Sequence, residues 1–171
     1  AKLDGVVARR QRSAAKLTEL LAGTEGLTLP TTLPSATHVY WKYPLIVDPT
    51  VLCGGADSLG AALKANGVFC APRYIQKPAF QCRVFTERKT FGKSQHPYSY
   101  RERLDGTKIV YDPADYPGTM QGLERVVVLP WSEFYTDEHV EFIAAAVRDA
   151  VCQLTAPRSD DLTAVRAAEV H

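Results

Sequence analysis

Long apolar runs, paired cysteines and an excess of either charge are all missing from this sequence of 171 residues. No stretch approaches the roughly 18 apolar residues of a membrane-spanning helix, and the charged start, residues 1–12, does not resemble a secretory signal. Lysine and arginine number 20 against 19 aspartates and glutamates, so no global charge favours an anionic partner. We therefore expect neither a membrane nor a nucleic-acid partner.

The cysteines and histidines also exclude several chemistries. The four cysteines are too few and too irregularly spaced for a disulfide framework, and no CxxC pair indicates zinc or redox chemistry, so reduced thiols and a cytoplasmic location are expected. His38, His96 and His139 have no partner at a metal-ligand spacing, so no metal site is predicted. We expect His38 to pack and His139 to lie on the surface, and retain only His96 as a substrate-contact candidate.

The composition is that of a soluble folded domain, with 46% hydrophobic and 23% charged residues. Helical periodicity at the start predicts a long amphipathic helix, which Gly23 would end. The chain begins without methionine and already inside this pattern. We therefore expect a piece of a longer or processed chain. The apolar positions of the predicted helix are Leu3, Val6, Val7, Ala14, Leu17, Leu20 and Leu21.

Two apolar segments predict strands, and a capped apolar stripe predicts the last helix. Residues 39–47 are apolar and aromatic, and Pro44 indicates an edge strand or a bulge. Residues 125–129 predict a short strand that Pro130 closes. Thr136 is predicted to cap a helix with one buried face. That face consists of Val140, Ile143, Ala144, Val147 and Val151.

The middle of the chain is predicted to hold one short helix, one strand and a long loop. Asp57 or Ser58 caps the helix and Gly67 ends it, and residues 68–70 begin the strand. From residue 72 to 122 periodicity is lost, but the aromatic content argues against simple disorder. The order of elements predicts an α+β fold, in which a small mixed or antiparallel sheet is covered by helices on one face.

The stretch that begins at Arg73 directly follows a predicted strand, where functional loops are usually built. Arg73 and Lys77 suit a carboxylate or phosphate, whereas Tyr74 and Phe80 suit a pocket wall, and the hydroxyl of Tyr74 is able to donate a hydrogen bond. A loop whose aromatic residues simply pack explains the same residues. With His96, these four are the candidate substrate-binding residues, and no catalytic residue is identified.

A basic run follows in the same predicted loop, and we weigh a solvated surface against an anion-binding one. Lys93 is not positioned by a hydrophobic strand, so a Schiff-base role is not expected. The Gly92-Lys93-Ser94 triplet is similar to the end of a phosphate-binding loop, but no glycine stands five residues before it. The run consists of Arg83, Arg88, Lys89, Lys93, Arg101 and Arg103, against Glu87 and Glu102.

Short motifs follow one another along the chain up to about Leu154. They are Leu3-Asp4, Arg9-Arg10, His38, Tyr40-Trp41, Tyr43-Pro44, Val47-Asp48-Pro49, the end of the second helix at Leu63 to Gly67, Pro72 to Phe80, Thr90-Phe91-Gly92, Pro117-Gly118, Val128-Leu129-Pro130-Trp131 and Tyr135-Thr136. In this order they resemble the DegT/DnrJ/EryC1/StrS aminotransferases, fold-type I pyridoxal-phosphate enzymes that act on nucleotide-linked keto-sugars and cyclitol ketones. The stretch from Arg73 to Pro78, followed by Phe91-Gly92 and by Leu129-Pro130-Trp131, is most similar to the subgroup that aminates scyllo-inosose-type cyclitols.

The resemblance implies the C-terminal small domain of a fold-type I pyridoxal-phosphate aminotransferase. Residues 1–23 would be a long helix that links to a large domain, residues 24–154 the small domain, and residues 155–171 a surface tail. The Schiff-base lysine and most cofactor contacts would lie in the large domain, so this segment is expected to be inactive alone. A keto-sugar or cyclitol ketone, glutamate or glutamine as amino donor, and a homodimer are implied as partners.

The same resemblance implies roles for the candidate residues. Tyr74 would be a hydrogen-bonding wall, Lys77 or Arg73 an anion contact, and Phe80 an apolar lining. In the implied reaction, glutamate or glutamine first aminates the cofactor, and the resulting amine then attacks the ketone.

Two other interpretations explain why this segment lacks the Schiff-base lysine of the family. The chain is either a free-standing α+β ligand-binding or regulatory module, or a structural relative that helps to assemble a dimer with an active partner. An exposed apolar face on the first helix, at Leu3, Val6, Val7 and Leu17, would favour an interpretation in which something is missing.

Overall fold

The computed structural model describes residues 2–90 and 92–155. This part of the chain divides into two compact units. The sheet unit comprises the residues up to Arg73 together with those from Arg125 onward, and the loop unit is Tyr74–Glu124. Phe91 of the Thr90-Phe91-Gly92 motif and the predicted surface tail after residue 155 lie outside the described residues.

Six α-helices occur along the described chain, and three of them belong to the loop unit or its boundary. The first and last are long, at 18 residues each. The helices are α1 (Leu3–Leu20), α2 (Gly55–Ala65), α3 (Arg83–Thr86), α4 (Tyr98–Asp105), α5 (Pro117–Arg125) and α6 (Asp137–Leu154).

Four strands form one antiparallel sheet in the order β1-β2-β4-β3. The two central strands place Tyr43 opposite Leu129 and Leu45 opposite Val127. The predicted α+β fold with a small antiparallel sheet is confirmed. The strands are β1 (Leu27–Thr28), β2 (Lys42–Val47), β3 (Ala71–Pro72) and β4 (Val126–Pro130).

The core lies between one face of the sheet and the helices α1, α2 and α6. Burial alternates along β2, so that Tyr43, Leu45 and Val47 are buried whereas their neighbours are partly exposed. This alternation follows from the pleat of a strand, which turns successive side chains to opposite faces. The predicted stripe on α6 is buried in the same cluster, and burial of such side chains from water is the main stabilising contribution.

The first predicted strand is shorter than its apolar run. It starts at Lys42 rather than at residue 39, because Tyr40 has a left-handed backbone with φ 47° that interrupts extended structure. Pro44 lies in a central strand rather than in an edge strand. The short β1 pairs only with Ile46 and Val47, so β2 has a neighbouring strand on one side alone at Pro44, and the missing N–H of proline is tolerated there.

The predicted cap of the second helix was wrong. Asp57 and Ser58 lie inside α2, and the residue before the helix is Gly54, whose φ of 77° only glycine adopts readily. Gly67 follows the helix with φ 79°, as predicted. The next strand was predicted to begin at residues 68–70, but β-pairing starts only at Ala71.

A close approach joins α2 to β3. Gly60 faces the ring of Pro72, and a Cβ added at Gly60 would lie 2.7 Å from Cγ of that proline. The thiol of Cys70 donates to the carbonyl of Gly60 at 3.4 Å. Only a residue without a side chain fits this position, since non-bonded carbons do not approach so closely.

The segment predicted to be a long loop contains helical structure. Besides α3, α4 and α5, it has 3₁₀ turns at Ala79–Gln81 and Pro113–Asp115. These elements are three to nine residues long. Such short helices do not repeat an apolar stripe often enough for periodicity to show them.

Polar contacts fix α1 against the rest of the sheet unit. Arg10 binds Glu133 through Nε and Nη2 at 2.9 and 2.7 Å, and Lys16 binds Glu141 at 2.7 Å. Leu17 is fully buried and therefore does not belong to an unpartnered face, whereas Leu3 is 70% exposed.

Thr136 caps α6 as predicted, in a reciprocal arrangement with His139. The side chain of Thr136 accepts from the His139 backbone, and Nδ1 of His139 accepts from the Thr136 N–H at 3.1 Å. His139 is exposed, as expected. Among the described residues, no helix combines the length and the apolarity that crossing a membrane would require.

Candidate functional site

Arg73 directly follows the second edge strand, β3, and belongs to the sheet unit. Its backbone is left-handed, with φ 49°, and its N–H donates to the carbonyl of Val126 at 2.7 Å. Nη1 of Arg73 lies 3.5 Å from Oδ2 of Asp57 on α2, and its side chain is 40% exposed. The guanidinium therefore faces a carboxylate while part of it remains open to solvent.

Tyr74 and Lys77 begin the loop unit. Both are exposed, whereas Pro78 beside them is buried. The hydrogen bond from Arg83 is the main cause that lowers the pKa of the Glu87 carboxyl, and the charge of Lys77 contributes least. A positive side chain in this position is available to an anion that approaches from solvent.

The aromatic side chains of the loop unit contact one another. Phe80 stacks on Tyr116 with ring centroids 4.6 Å apart. Phe85 meets the edges of Tyr111 at 5.6 Å and Tyr98 at 6.1 Å. Offset and edge-to-face pairs of this kind stabilise an aromatic cluster beyond the area that they bury. The loop unit thus has an aromatic cluster of its own.

A cavity of about 310 Å³ opens beside this cluster. Of the sequence-predicted site residues in this unit, Phe80 lines it, whereas Tyr74, Lys77 and His96 do not. The ring of His96 instead lies against Tyr100, with centroids 6.3 Å apart. The structure therefore places the candidate residues at different points. The cavity is lined mainly by Phe80, Phe85, Tyr111, Ile109, Arg88 and Lys108.

The two cations of the cavity differ in their partners. Arg88 binds Oε2 of Glu102 through Nη1 at 2.6 Å, and its side chain is only 13% exposed. Lys108 is exposed, and no ion pair joins it to a carboxylate in residues 2–90 and 92–155. The cavity wall therefore carries one compensated and one uncompensated positive charge.

Sequence reasoning missed most of this cavity. Arg88 was noted only as part of the basic run, and Phe85, Lys108, Tyr111 and Tyr116 were not singled out. Lys108 and Tyr111 line the same cavity as Phe80, and Tyr116 stacks on Phe80. These three residues are far from Phe80 in sequence and follow no repeating pattern, so no spacing could have indicated them. The exposed pair of Arg83 with Glu87 and the bond from Arg103 to Ser99 agree with a solvated surface at these two arginines of the basic run.

Comparison with solved structures identifies the kind of domain. The aminotransferase TlmJ from Streptoalloteichus hindustanus superposes with a TM-score of 0.59 at 22% identity, covering 91% of this chain and 34% of that one. S. venezuelae DesV in complex with a ketimine intermediate superposes with a TM-score of 0.62 at 19% identity, covering 86% of this chain and 32% of that one. DesI in the presence of its TDP-sugar product superposes with a TM-score of 0.62 at 18% identity, covering 95% of this chain and 34% of that one. The chain therefore has the fold of a part of each of these three proteins.

The family follows from the sequence itself. Residues 1–148 match the DegT/DnrJ/EryC1/StrS aminotransferase family, and the chain belongs to that family. Its members depend on pyridoxal 5'-phosphate. The chain spans about a third of the length of the solved structures that it resembles. No curated protein matches this sequence.

The described residues do not by themselves fit the aldimine of pyridoxal phosphate. None of the lysines in the described part is buried, and Ser13 is the one buried polar or charged residue there. A lysine that forms a Schiff base needs a shielded position that lowers its pKa. Nor do these residues bring together three or more histidines, cysteines, aspartates or glutamates in a way that could hold a metal ion.

Proposed function

We propose that this chain is the C-terminal small domain of a pyridoxal-phosphate aminotransferase that transfers an amino group from glutamate or glutamine to a keto-sugar or keto-cyclitol. The observation that carries the proposal is the family match over residues 1–148, in a chain with the fold of a part of sugar aminotransferases. The presence of a TDP-sugar product with DesI supports a sugar-like acceptor. The resemblance of residues 73–78 to the scyllo-inosose subgroup supports a cyclitol.

In this proposal the cofactor is held by residues outside the described chain. None of the described lysines is buried, which supports this assignment of the cofactor. Pyridoxal phosphate, when bound, supplies the electron sink for the transfer. The part left to this chain is to close one side of the cleft, to orient substrate and to exclude water.

The roles of individual residues remain proposals. Tyr74 and Lys77 are exposed at the start of the loop unit, where they can reach a substrate hydroxyl or carboxylate. Phe80 presents an apolar wall, and Arg73 keeps part of its guanidinium open to solvent beside Asp57. His96, against Tyr100, is the remaining substrate-contact candidate.

Transfer kinetics in the complete enzyme that contains this segment would test these roles. With glutamine as donor and scyllo-inosose as acceptor, we expect Tyr74→Phe and Lys77→Met each to raise KM for one substrate by about tenfold, as loss of a charge-assisted contact would. Lys89→Met, an exposed lysine of the same unit, serves as the matched control. Unchanged kinetics toward both substrates in both variants would refute the assignment.

The isolated chain provides a second test. After borohydride reduction with pyridoxal phosphate, which fixes an aldimine covalently, we expect an intact mass near 18.8 kDa without a single-site adduct. A stoichiometric adduct on one lysine, together with turnover by the chain alone, would contradict the proposal that the cofactor is held outside this chain. A free-standing ligand-binding module would instead be indicated if the complete gene product also failed to transfer an amino group.

We also propose that the parent enzyme is a homodimer in the cytoplasm. Large apolar side chains are exposed on the sheet unit at Phe69 (74%), Phe134 (78%) and Phe142 (55%), and such side chains are typical of interaction surfaces. Light scattering on the complete enzyme should give twice the chain mass, and a monomer would refute the dimer. Cell fractionation would test the location.

A further inference from the structure

The cavity beside Phe80 has the composition of a ligand site. Its volume of about 310 Å³ lies at the lower end of the range found for small-molecule pockets. Phe80, Phe85 and Tyr111 supply ring faces and edges, and Ile109 adds aliphatic surface. Such a wall removes a flat or ring-shaped group from water but provides little for an extended polar chain.

The charges of the cavity indicate what else the ligand carries. Arg88 is held by Glu102 at 2.6 Å, and its Nη2 also lies 3.5 Å from the carbonyl of Ile109, so its position is fixed and its charge is balanced. Lys108 adds a second positive charge that no described carboxylate balances. The cavity as a whole therefore favours a ligand that carries one negative charge next to its own ring.

We propose that this cavity of the loop unit is a binding site for a ring compound that bears a single phosphate or carboxylate. The ring lies against Phe80, Phe85 and Tyr111, and the anion faces Lys108, with Arg88 as a fixed positive neighbour. A single anionic group is favoured over a polyphosphate because only one of the two cations is uncompensated. Neither Arg73 nor His96 lines it.

This inference holds or fails independently of the proposed transfer reaction, since it concerns binding by this chain alone. The first experiment is a ligand-detected NMR titration of the 171-residue chain with phenyl phosphate, benzoate, phenol and inorganic phosphate. Phenyl phosphate and benzoate combine a ring with an anion, whereas phenol lacks the charge and inorganic phosphate lacks the ring. We expect at least one of the first two to bind about tenfold more tightly than either of the last two.

The tighter of phenyl phosphate and benzoate identifies the anion. If neither binds more tightly than phenol and inorganic phosphate, the cavity is not a site for this class and the proposal is overturned. The comparison is internal to one protein sample, so it does not depend on any variant folding correctly.

A pair of lysine variants then locates the binding. Lys108→Met should raise the Kd of the tighter ligand by about five- to tenfold, because it removes the uncompensated charge. Lys89→Met removes an exposed lysine of the same unit that does not line the cavity, and should change the Kd by less than about twofold. Equal effects of the two variants would mean that binding is nonspecific and would overturn the proposal. Both side chains are exposed, so neither change should unfold the chain.

Discussion

The indole Nε1 of Trp131 lies 3.0 Å from Oγ of Ser13 and donates a hydrogen bond to it, although 118 positions separate the two residues in sequence. The same N–H is 3.2 Å from the carbonyl of Arg10. Trp131 is 4% and Ser13 3% exposed. Because a buried polar group without a partner is costly, this bond ties the end of β4 to α1.

Trp131→Phe should destabilise the sheet unit by about 1–2 kcal/mol, since it leaves the buried hydroxyl of Ser13 without its donor and removes apolar volume. Urea unfolding followed by circular dichroism measures the change. Trp41→Phe is the matched control, because Trp41 is 65% exposed and its replacement should cost less than about 0.5 kcal/mol. Equal losses in the two variants would show that the bond to Ser13 contributes nothing measurable.

Gly60→Ala should destabilise the protein by about 1–3 kcal/mol, because its Cβ would meet the rigid ring of Pro72 on β3. The gain in helix propensity, about 1 kcal/mol, does not offset that clash. Gly118→Ala is the control in α5, since nothing lies within 4 Å of the added Cβ, and it should be neutral or slightly stabilising. Thermal unfolding of both variants distinguishes these outcomes. A Gly60→Ala protein as stable as the parent would mean that α2 can move away from β3.

Acid should weaken the bond between Arg10 and Glu133. The pKa of Glu133 is held below its ordinary value of 4.5 by its own backbone N–H and by Arg10. A carboxyl with a lowered folded-state pKa stabilises the fold above its ordinary pKa, and this contribution disappears as the pH falls through the folded value. We therefore expect Glu133→Gln to reduce the loss of stability on acidification below about pH 4.5, in unfolding curves measured between neutral pH and the acid range.

The partner variant provides the control for that pH dependence. Arg10→Gln removes one cause of the lowered pKa but leaves the backbone donor in place. It should give an acid response between those of the parent and of Glu133→Gln. If the parent and Glu133→Gln unfold with the same pH dependence, Glu133 does not titrate with folding.

The two exposed thiols should react faster than the buried thiol of Cys70. Cys53 and Cys152 are exposed, whereas Cys70 is buried and burial raises the pKa of its thiol. Because the thiolate is the reactive form, a colorimetric thiol reagent at mildly alkaline pH should modify Cys53 and Cys152 first and Cys70 only on unfolding. Cys53→Ser should remove one fast equivalent and leave the slow phase unchanged. Fast modification of Cys70 in the folded chain would show that the end of the sheet near Gly60 opens.

The long helices and the two central strands of the sheet unit could largely be read from the sequence, because each has one buried face, whereas the edge strands β1 and β3 are only two residues long. The stripe on α6 and its Thr136 cap were predicted residue by residue, and α1 ended close to where Gly23 had indicated. The errors lie where one residue overrides a pattern, as the left-handed Tyr40 shortens β2. The start of α2 was misplaced because a backbone conformation at Gly54, rather than a side-chain cap, begins it.

The loop unit could not be predicted in the same way. Phe80 was identified as a pocket wall, yet the ring stacked on it is Tyr116, and the uncompensated cation near it is Lys108. Local spacing carries no information on contacts between segments so far apart, and helices of four to nine residues leave no periodic trace. The family resemblance drew attention to residues 73–80, of which only Phe80 lines the cavity, and the folded chain shows which other residues face it.

The chain leaves the sheet at Arg73 and returns at Val126, and these two residues are joined by a backbone hydrogen bond of 2.7 Å. Everything between them is thus attached through two adjacent points on neighbouring antiparallel strands. An excursion anchored in this way can lengthen, shorten or change its chemistry while the strand pairing beneath it stays the same. Proteins with the same sheet can therefore differ in the residues of this excursion, and in the ligands that those residues contact, without any change in the strand pairing.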